Sequence, residues 1–202
     1  MTIMTTARKF AERIVDLAKD RRGAAAIEFA FVAPVLLVLY MMTMEIAQAI
    51  DTNKKVGRMA SLTADLVTQE QDITKSEIDA IMTIGDAVLR PYSRSLPTIE
   101  VDAITIDSSK KATIAWSRKY VSGSTSANTA KGTVVTDLPA KLIVADSFLI
   151  RARAKLSYAP MIAWFAYNKS DHLWTTSTTA INMGQEYYLR PRIASSVTCT
   201  DC

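Results

Sequence analysis

Few residues of this chain have types and spacings that could do chemistry. Near the N-terminus, Gly23 is followed five residues later by Glu28, and Glu28 is followed by Phe29. Near the other end, Cys199 and Cys202 are three residues apart and are the only two cysteines. The first group could form a proteolytic processing site, with the charge of Glu28 lying in an apolar segment. The second could bind a metal or form a disulfide.

The sequence shows no motif of a common enzyme class. It has no Gly-rich phosphate loop, no Gly-x-Ser-x-Gly elbow and no His-Glu-x-x-His pair. The single histidine, His172, follows Asp171, but a lone histidine in a Trp-containing stretch is more often a packing residue than a catalytic one. We expect no enzyme, no cofactor and no metal, because zinc favours four ligands and the chain offers two thiols and one distant imidazole.

The apolar residues are concentrated in residues 24–50. Within this stretch the sixteen residues from Phe29 to Met44 carry no charge, and they are apolar around the helical circumference. A helix of about 26 residues is roughly 39 Å long, which is enough to cross a hydrocarbon core of about 30 Å. The sequence therefore predicts a transmembrane helix over residues 24–50 rather than a buried core helix.

The charges that flank this helix predict its orientation in the membrane. Residues 1–23 contain six Lys or Arg against three acids, whereas three cations follow the span within ten residues. This asymmetry predicts a cytoplasmic basic leader at 1–23 and a periplasmic domain at 51–202. From Ala24 onward 18 basic residues oppose 17 acidic ones, which indicates no basic surface for nucleic acid.

A candidate cleavage point precedes the apolar run instead of following it. The string Arg21-Arg22-Gly23-Ala24 lies before the span, whereas a secretory signal peptide is cut after its apolar region. Cleavage after Gly23 would create an α-amino group on Ala24, one helical turn from Glu28. An acid inside a spanning helix is costly, so we expect Glu28 to pair with this amine in its own chain or in a neighbouring subunit.

At these residues the sequence resembles a known family. Gly23, the four residues that follow it, Glu28 and Phe29 resemble the processing motif of type IV prepilins, in the variant of Flp-type or tight-adherence (Tad) pili. The longer string from Arg21 to Ala49 is similar to the N-terminus of TadE-like pseudopilins. Phe29 replaces the Tyr of the major pilin, and the chain is far longer than that pilin, so the main fibre subunit is not expected.

The resemblance implies a role in pilus assembly. A TadE-like pseudopilin (TadE/TadG type) would be a minor pilin, processed by a prepilin peptidase and needed for a pilus that serves adherence and biofilm formation. Its partners would be other Tad pseudopilins, the major Flp pilin, the prepilin peptidase, the inner-membrane assembly platform and membrane lipid. It would be a single-pass protein of the bacterial inner membrane, with the possibility of incorporation into the extracellular pilus.

Beyond the motif, prolines and a helix-capping pattern predict where the helices bend, begin and end. Pro34 lies within the predicted span, where the missing backbone donor should kink the helix. Apolar residues at three- and four-residue spacing predict that the helix continues as a stalk to the polar group at Gln69. Thr74 and Glu77 form a capping-box pattern for a second helix, which should stop before Pro91.

After Pro97 the apolar period changes to two, which predicts strands. The segment Val121–Asn128 is expected to be a flexible loop because of its Gly, Ser and Asn content. Helices followed by strands indicate an α+β fold, with a head of helix plus antiparallel sheet on the helical stalk. The predicted strands are residues 99–105, 112–116, 148–157 and 172–183.

Two further groups have alternative interpretations. Arg151, Arg153 and Lys155 share one face of a predicted strand, which favours a solvated sheet face over a surface for an acidic partner. An aromatic cluster near the C-terminal third favours core packing over an exposed subunit contact. Its members are Trp164, Phe165 and Tyr167.

The cysteines and the membrane segment leave alternatives open. Outside the inner membrane thiols tend to be oxidised, so we predict a Cys199–Cys202 disulfide within the chain. A bond to another subunit and two free thiols are the competing outcomes. For the whole protein, the alternatives are a permanently anchored envelope scaffold or ligand-binding protein, and a secreted protein cut after Ala47-Gln48-Ala49.

Overall fold

The computed structural model describes residues 23–161 and 180–202. The chain divides into two compact units, one ending at Ile46 and the other comprising Ala47–Cys202. We call the second one the globular unit. Its strands are β1 (Asp72–Ile73), β2 (Thr98–Ile106), β3 (Ala112–Val121), β4 (Ser124–Ala127), β5 (Ser147–Tyr158), β6 (Ile181–Leu189) and β7 (Thr198–Cys199).

The first helix, α1 (Ala24–Thr68), has 45 residues and continues through Pro34. It is the one helix in the described part of the chain that is long and apolar enough to cross a membrane. Its large apolar side chains from Ile27 to Ile46 are exposed. From Val56 onward the same helix presents buried residues to the core of the globular unit. The predicted continuation of the helix as far as Gln69 is therefore confirmed.

The second helix, α2 (Lys75–Ala87), begins where the sequence predicts. The Thr74 hydroxyl accepts a hydrogen bond from the Glu77 backbone N–H, and the Glu77 carboxylate accepts one from the Thr74 backbone N–H. This reciprocal capping satisfies two backbone donors at the first turn. Residues 88–90 continue as turns, so the helix ends before Pro91 as expected.

A five-stranded antiparallel sheet follows, in the order β4-β3-β2-β5-β6. The short strands β1 and β7 pair in parallel and join the C-terminal segment to the connection between the helices. A long apolar helix, a second helix and an antiparallel sheet confirm the predicted α+β class. A short 3-10 turn at Ala140–Leu142 lies in the connection before β5.

The predicted flexible loop at Val121–Asn128 is wrong. Ser122 and Gly123 both have positive φ angles, 53° and 87°, and form a two-residue hairpin turn. Ser124–Ala127 then pairs with the end of β3 as strand β4. Small polar residues gave no apolar alternation in the sequence, because an exposed edge strand needs none.

Of the other predicted strands, 99–105 and 148–157 agree with β2 and β5, and 112–116 is the first half of β3. The strand predicted at 172–183 differs. Residues 172–179 lie outside the described residues, and the described strand β6 begins at Ile181 and runs on to Leu189.

The globular unit has a core on each face of the sheet. The larger one lies between the helices and one sheet face, and includes Met59, Met82, Ile99 and Tyr158. The smaller one lies on the opposite face, at the end where Ile106 and Leu149 meet Leu138 from the connection before β5. The rest of that second face carries charged side chains.

Candidate functional site

The proposed processing segment lies at the very start of α1. Gly23 is exposed and directly precedes the first helical residue, Ala24. A Cβ atom added at Gly23 would have no heavy atom within 4 Å. The described fold therefore does not require glycine at this position. Any requirement for glycine here would come from a partner protein that recognises it.

The residues predicted to act with Gly23 are also accessible. Glu28 is exposed one helical turn after Ala24, and the Phe29 side chain is 69% exposed. The structure thus brings Gly23, Glu28 and Phe29 onto one exposed helix start. Cleavage after Gly23, pairing of Glu28 with an Ala24 amine, and a kink at Pro34 stay predictions.

Cys199 and Cys202 are joined by a disulfide, with their Cα atoms 5.5 Å apart. The small loop closed by this bond lies at the start of α2, where the Asp201 carboxylate accepts a hydrogen bond from the Lys75 backbone N–H at 2.8 Å. An acid at the first turn of a helix also compensates the positive end of its dipole. The disulfide therefore presents Asp201 as a second cap of α2.

The C-terminal segment is tied to both helices. Its backbone bonds to the end of α1 through Arg192 N–H and Thr68 C=O, at 3.0 Å. The buried Trp116 indole N–H donates to the Val197 carbonyl at 2.8 Å. Val197 itself is 1% exposed in the larger core. The last residues thus form part of the globular unit instead of a frayed tail.

The charged face of the sheet corrects the prediction for Arg151. Its side chain is buried rather than solvated, and its guanidinium lies 2.8 Å from the fully buried Asp102 carboxylate and 2.8 Å from Asp137. The strand register explains this, because Asp102 of β2 lies directly opposite Arg151 of β5. Glu100 likewise lies opposite Arg153, at 3.1 Å. Acids on β2 neutralise the basic face of β5 from within the same sheet.

These contacts shift the pKa values of three side chains on this face. Burial alone would lower the pKa of the Arg151 guanidinium, but the charge of Asp102 and the bonds to the two carboxylates outweigh it and raise the pKa above its ordinary value. Burial alone would raise the pKa of Asp137, but the hydrogen bond and charge of Arg151 lower it. Burial and the hydrogen bond to Glu186 raise the pKa of Tyr188 to about 12. Arg151 is therefore the central cation of this face.

A second cation, Arg94, packs against two aromatic rings that stack on each other at the opposite face, with their centroids 5.3 Å apart. The Arg94 guanidinium lies 4.9 Å from the Tyr92 ring centroid and 5.4 Å from that of Tyr158, and it donates to the Ala159 carbonyl at 2.8 Å. It also contacts the Gln48 side chain of α1 at 3.4 Å. This cluster fixes the loop between the two prolines, Pro91 and Pro97, against the start of the globular unit.

Neither the cluster around Asp102 and Arg151 nor the cluster around Arg94 was predicted from the sequence. Glu100 and Asp102 alternate with apolar residues in β2 in the same way as Arg151 and Arg153 do in β5. That complementary alternation was a signal for adjacent strands. The other residues singled out from the sequence, His172 and the aromatic cluster Trp164, Phe165 and Tyr167, lie outside the described residues.

The fold and the helix start together define a class: a protein with one N-terminal helix apolar enough to anchor it in a membrane and an α+β globular unit. Residues 23–65 match the family model described as TadE-like protein. This segment of the chain is TadE-like, and it associates the protein with Tad pilus systems. The match begins at Gly23 and covers most of α1. Neither the curated proteins nor the solved structures contain a match to this chain.

Proposed function

We propose that this chain is a pseudopilin, or minor pilin, of a Tad pilus assembly system. In this proposal α1 holds the precursor in the inner membrane with its N-terminus cytoplasmic. A prepilin peptidase removes residues 1–23, and the apolar part of α1 then packs against the helices of other pilin subunits. The globular unit acts on the outer side as a structural subunit, without catalytic chemistry.

The observation that carries the proposal is the position of the TadE-like match. It begins at Gly23, and α1 begins one residue later, so the family segment and the exposed helix start coincide. An exposed helix of apolar side chains has no partner within the described chain. Such a surface is stable in lipid or against other apolar helices.

Glu28 has a specific task in this proposal. A carboxylate in an apolar layer needs a counter-charge, and the amine that cleavage creates on Ala24 of a neighbouring subunit supplies one. The Glu28 carboxylate would repel other acidic groups. In a monomer within the bilayer, this carboxylate would be incompletely paired. Glu28 thereby favours association of the processed chain over storage as a monomer.

Two alternatives predict different N-termini. A permanently anchored scaffold would keep Met1. A secreted protein cut after Ala49 would begin at Ile50, but Gln48 and Ala49 are helical and half-buried in the globular unit, and Gln48 contacts Arg94 there. Cutting at that point would remove contacts from the folded unit, which favours the pseudopilin proposal.

The test is the intact mass of the membrane-associated protein from cells that assemble the pilus. Of 202 residues, removal of 23 leaves 179, beginning at Ala24. Gly23→Phe should accumulate as the full-length precursor, and it should fold normally because the position is unobstructed. Glu28→Gln, if processed, should lose copurification with pilin partners, whereas Glu45→Gln at the other end of the apolar stretch is the matched control. An unprocessed wild-type chain in piliated cells would refute the proposal.

A further inference from the structure

Half of the second sheet face is accessible to solvent in the described part of the chain. The connection before β5 covers the other half, where Leu138 packs beside Ile106 and Leu149. Residues opposite each other in paired strands share a face, so the strand register defines the accessible half. We call it the open face. Its charged members are Glu100, Lys119, Arg153 and Lys155, and its exposed uncharged members include Ser124, Ser126, Ser157, Asn182 and Gly184.

Three cations of the open face share one carboxylate. Glu100 of β2 lies between Lys119 of β3 and Arg153 of β5, its opposite residues on the two sides. The ammonium groups of Lys119 and Lys155 lie 3.6 Å and 3.4 Å from the Glu100 oxygens. The Arg153 guanidinium lies 3.1 Å from the same carboxylate. One negative charge therefore serves three positive charges at this place.

Other acids of the sheet do not complete this charge. The fully buried Asp102 contacts Arg153 at 3.0 Å, but Arg151 lies closer to it, at 2.8 Å. Glu186 lies opposite Arg153 in the sheet, but its carboxylate lies 3.8 Å from Arg151. Among the described residues, the two lysines of the open face have ion pairs with Glu100 alone. The open face therefore has a local excess of positive charge.

The two lysines are accessible, whereas their carboxylate partner is not. The side chain of Lys155 is 56% exposed and that of Lys119 is 35% exposed, against 8% for Glu100. An ammonium group has three donors, so each lysine can accept a second partner from the solvent side. Both ammonium groups reach the oxygens of one carboxylate, so they lie close enough together for one incoming carboxylate to contact both.

The surroundings of the lysines favour a polypeptide ligand over a nucleic acid. Proteins that bind single-stranded nucleic acid combine a basic groove with aromatic side chains on which bases stack. Here the residues opposite Lys119 are Ser126 and Glu100, and those opposite Lys155 are Thr98 and Gly184. These small side chains leave room for an extended main chain, and their hydroxyls can bond to its amides.

We propose that the open face is a docking surface for an acidic segment of a partner polypeptide. Lys119 and Lys155 together bind an aspartate or glutamate carboxylate of that segment. Glu100 beneath them holds the two ammonium groups in place and competes with the ligand, which keeps the contact reversible. Such docking goes beyond the proposed function, and it would occur whether or not the chain is a pseudopilin.

The test measures binding of a fluorescent peptide of alternating glutamate and serine to the full-length chain in non-ionic detergent. The same peptide with glutamine in place of glutamate is the uncharged probe. Lys119→Gln/Lys155→Gln removes the two lysines of the open face. The matched control is Lys110→Gln/Lys111→Gln, which removes the same charge from exposed lysines between β2 and β3, at the other end of these strands. Thermal unfolding identifies the folded variants.

The glutamate peptide should bind and the glutamine peptide should not. At low salt the Lys119→Gln/Lys155→Gln variant should bind the glutamate peptide more weakly by roughly fivefold or more, whereas the control variant should change little. Glu100→Gln should strengthen binding because it removes the competing carboxylate, whereas damage to the fold would weaken it. Carbodiimide joins a bound carboxylate to a lysine amine as an amide with loss of water, and mass spectrometry should find this amide at Lys119 or Lys155.

Equal weakening in both double variants, binding of the glutamine peptide, or no binding by the parent chain would overturn the inference. Tighter binding of a single-stranded oligonucleotide that depends on the same two lysines would overturn it as well, because the site would then serve nucleic acid. If Glu100→Gln does not fold, the two lysine variants and the amide position still decide. None of these outcomes affects processing after Gly23, which the intact mass tests separately.

Discussion

At the scale of single residues, a buried charge lies at the centre of the second sheet face of the globular unit. Asp102 is fully buried, and its carboxylate contacts Arg151 at 2.8 Å and Arg153 at 3.0 Å and accepts a hydrogen bond from the Ser117 hydroxyl. Desolvation of a carboxylate costs several kcal/mol, so such a group is tolerated only with well-placed partners. The cluster therefore contributes little net stability as a whole but makes each member hard to remove.

We expect Arg151→Gln to destabilise the protein strongly. The change leaves Asp102 with an incomplete counter-charge in a buried position, and breaking a buried pair costs roughly 3–5 kcal/mol. Lys155→Gln is the matched control, because Lys155 lies on the same strand and face, pairs with Glu100 at 3.4 Å and is 56% exposed. An exposed pair contributes about 0–1 kcal/mol. Urea denaturation of both variants in detergent measures the difference, and equal losses would contradict the expectation.

The same cluster predicts a pH dependence. The pKa of Asp137 is lower in the folded state because Arg151 donates a hydrogen bond to its carboxylate. A lowered pKa gives stability that is present above the unfolded-state value, about 3.9, and is lost as the pH falls through the folded-state value. Asp137→Asn should therefore flatten the stability curve below about pH 4. In an Arg151→Gln background the same substitution should leave the slope unchanged, and an unchanged slope in the parent background would count against the pair.

Residue-level chemistry could be predicted only where it is local in sequence. The capping box of Thr74 and Glu77 and the proximity of Cys199 to Cys202 depend on spacings of three residues. The Asp102–Arg151 pair depends on the register of two strands, and the two residues are 49 positions apart in the chain. No single-strand pattern fixes that register, which is why the basic face of β5 was expected to be solvated.

At the scale of elements, α1 and α2 approach closely at one glycine. A Cβ atom on Gly85 would lie 2.8 Å from the Thr63 hydroxyl oxygen, 3.3 Å from Ile99 and 3.4 Å from Met59. All three neighbours are fully buried. Because the interior is close-packed, these side chains have little room to move away. The packing of the two helices on the sheet thus depends on the absence of a side chain at this position.

We expect Gly85→Ala to lower the free energy of unfolding by about 1–2 kcal/mol, since overpacking costs more than the gain in helix propensity. Gly57→Ala is the control within α1. A Cβ there would meet Gln185 and Tyr187 at 3.6 Å, an ordinary contact distance. That variant should be neutral or slightly more stable. Thermal unfolding of the pair tests the packing, and a Gly85→Ala protein as stable as Gly57→Ala would show that the helices can separate.

The elements themselves were largely predictable, except where tertiary contacts create them. Periodicity gave α1, α2, β2 and β5, because apolar spacing reflects a buried face. It did not give β1 and β7, which are two residues long and exist through the parallel pairing of Asp72 and Ile73 with Thr198 and Cys199. The tail carries this pairing because Val197 is buried beside Trp116.

At the scale of the whole molecule, one helix serves two environments. The first part of α1 exposes apolar side chains throughout, whereas the part from Val56 to Thr68 packs against the sheet and α2. The TadE-like match, residues 23–65, covers both parts. We therefore expect a substitution in the second part to act through folding. Under the proposed function, one in the first part acts through membrane insertion or subunit association.

The direction of α1 and the state of the cysteines give one joint prediction for the whole protein. Six basic residues precede the apolar stretch, against Lys54, Lys55 and Arg58 after it, which favours an N-terminus in the cytoplasm and a globular unit outside. Outside the cytoplasm the Cys199–Cys202 bond persists without reductant.

In freshly isolated right-side-out vesicles, a membrane-impermeant maleimide should label the chain only after reduction, and in inside-out vesicles it should not label it at all. The intact chain should be lighter by two hydrogens than its reduced form, and treatment with reductant should release no second protein. Labelling of both thiols in unreduced inside-out vesicles would contradict the orientation and the disulfide together. A reducible adduct with another subunit would instead contradict the intrachain bond and leave the orientation in place.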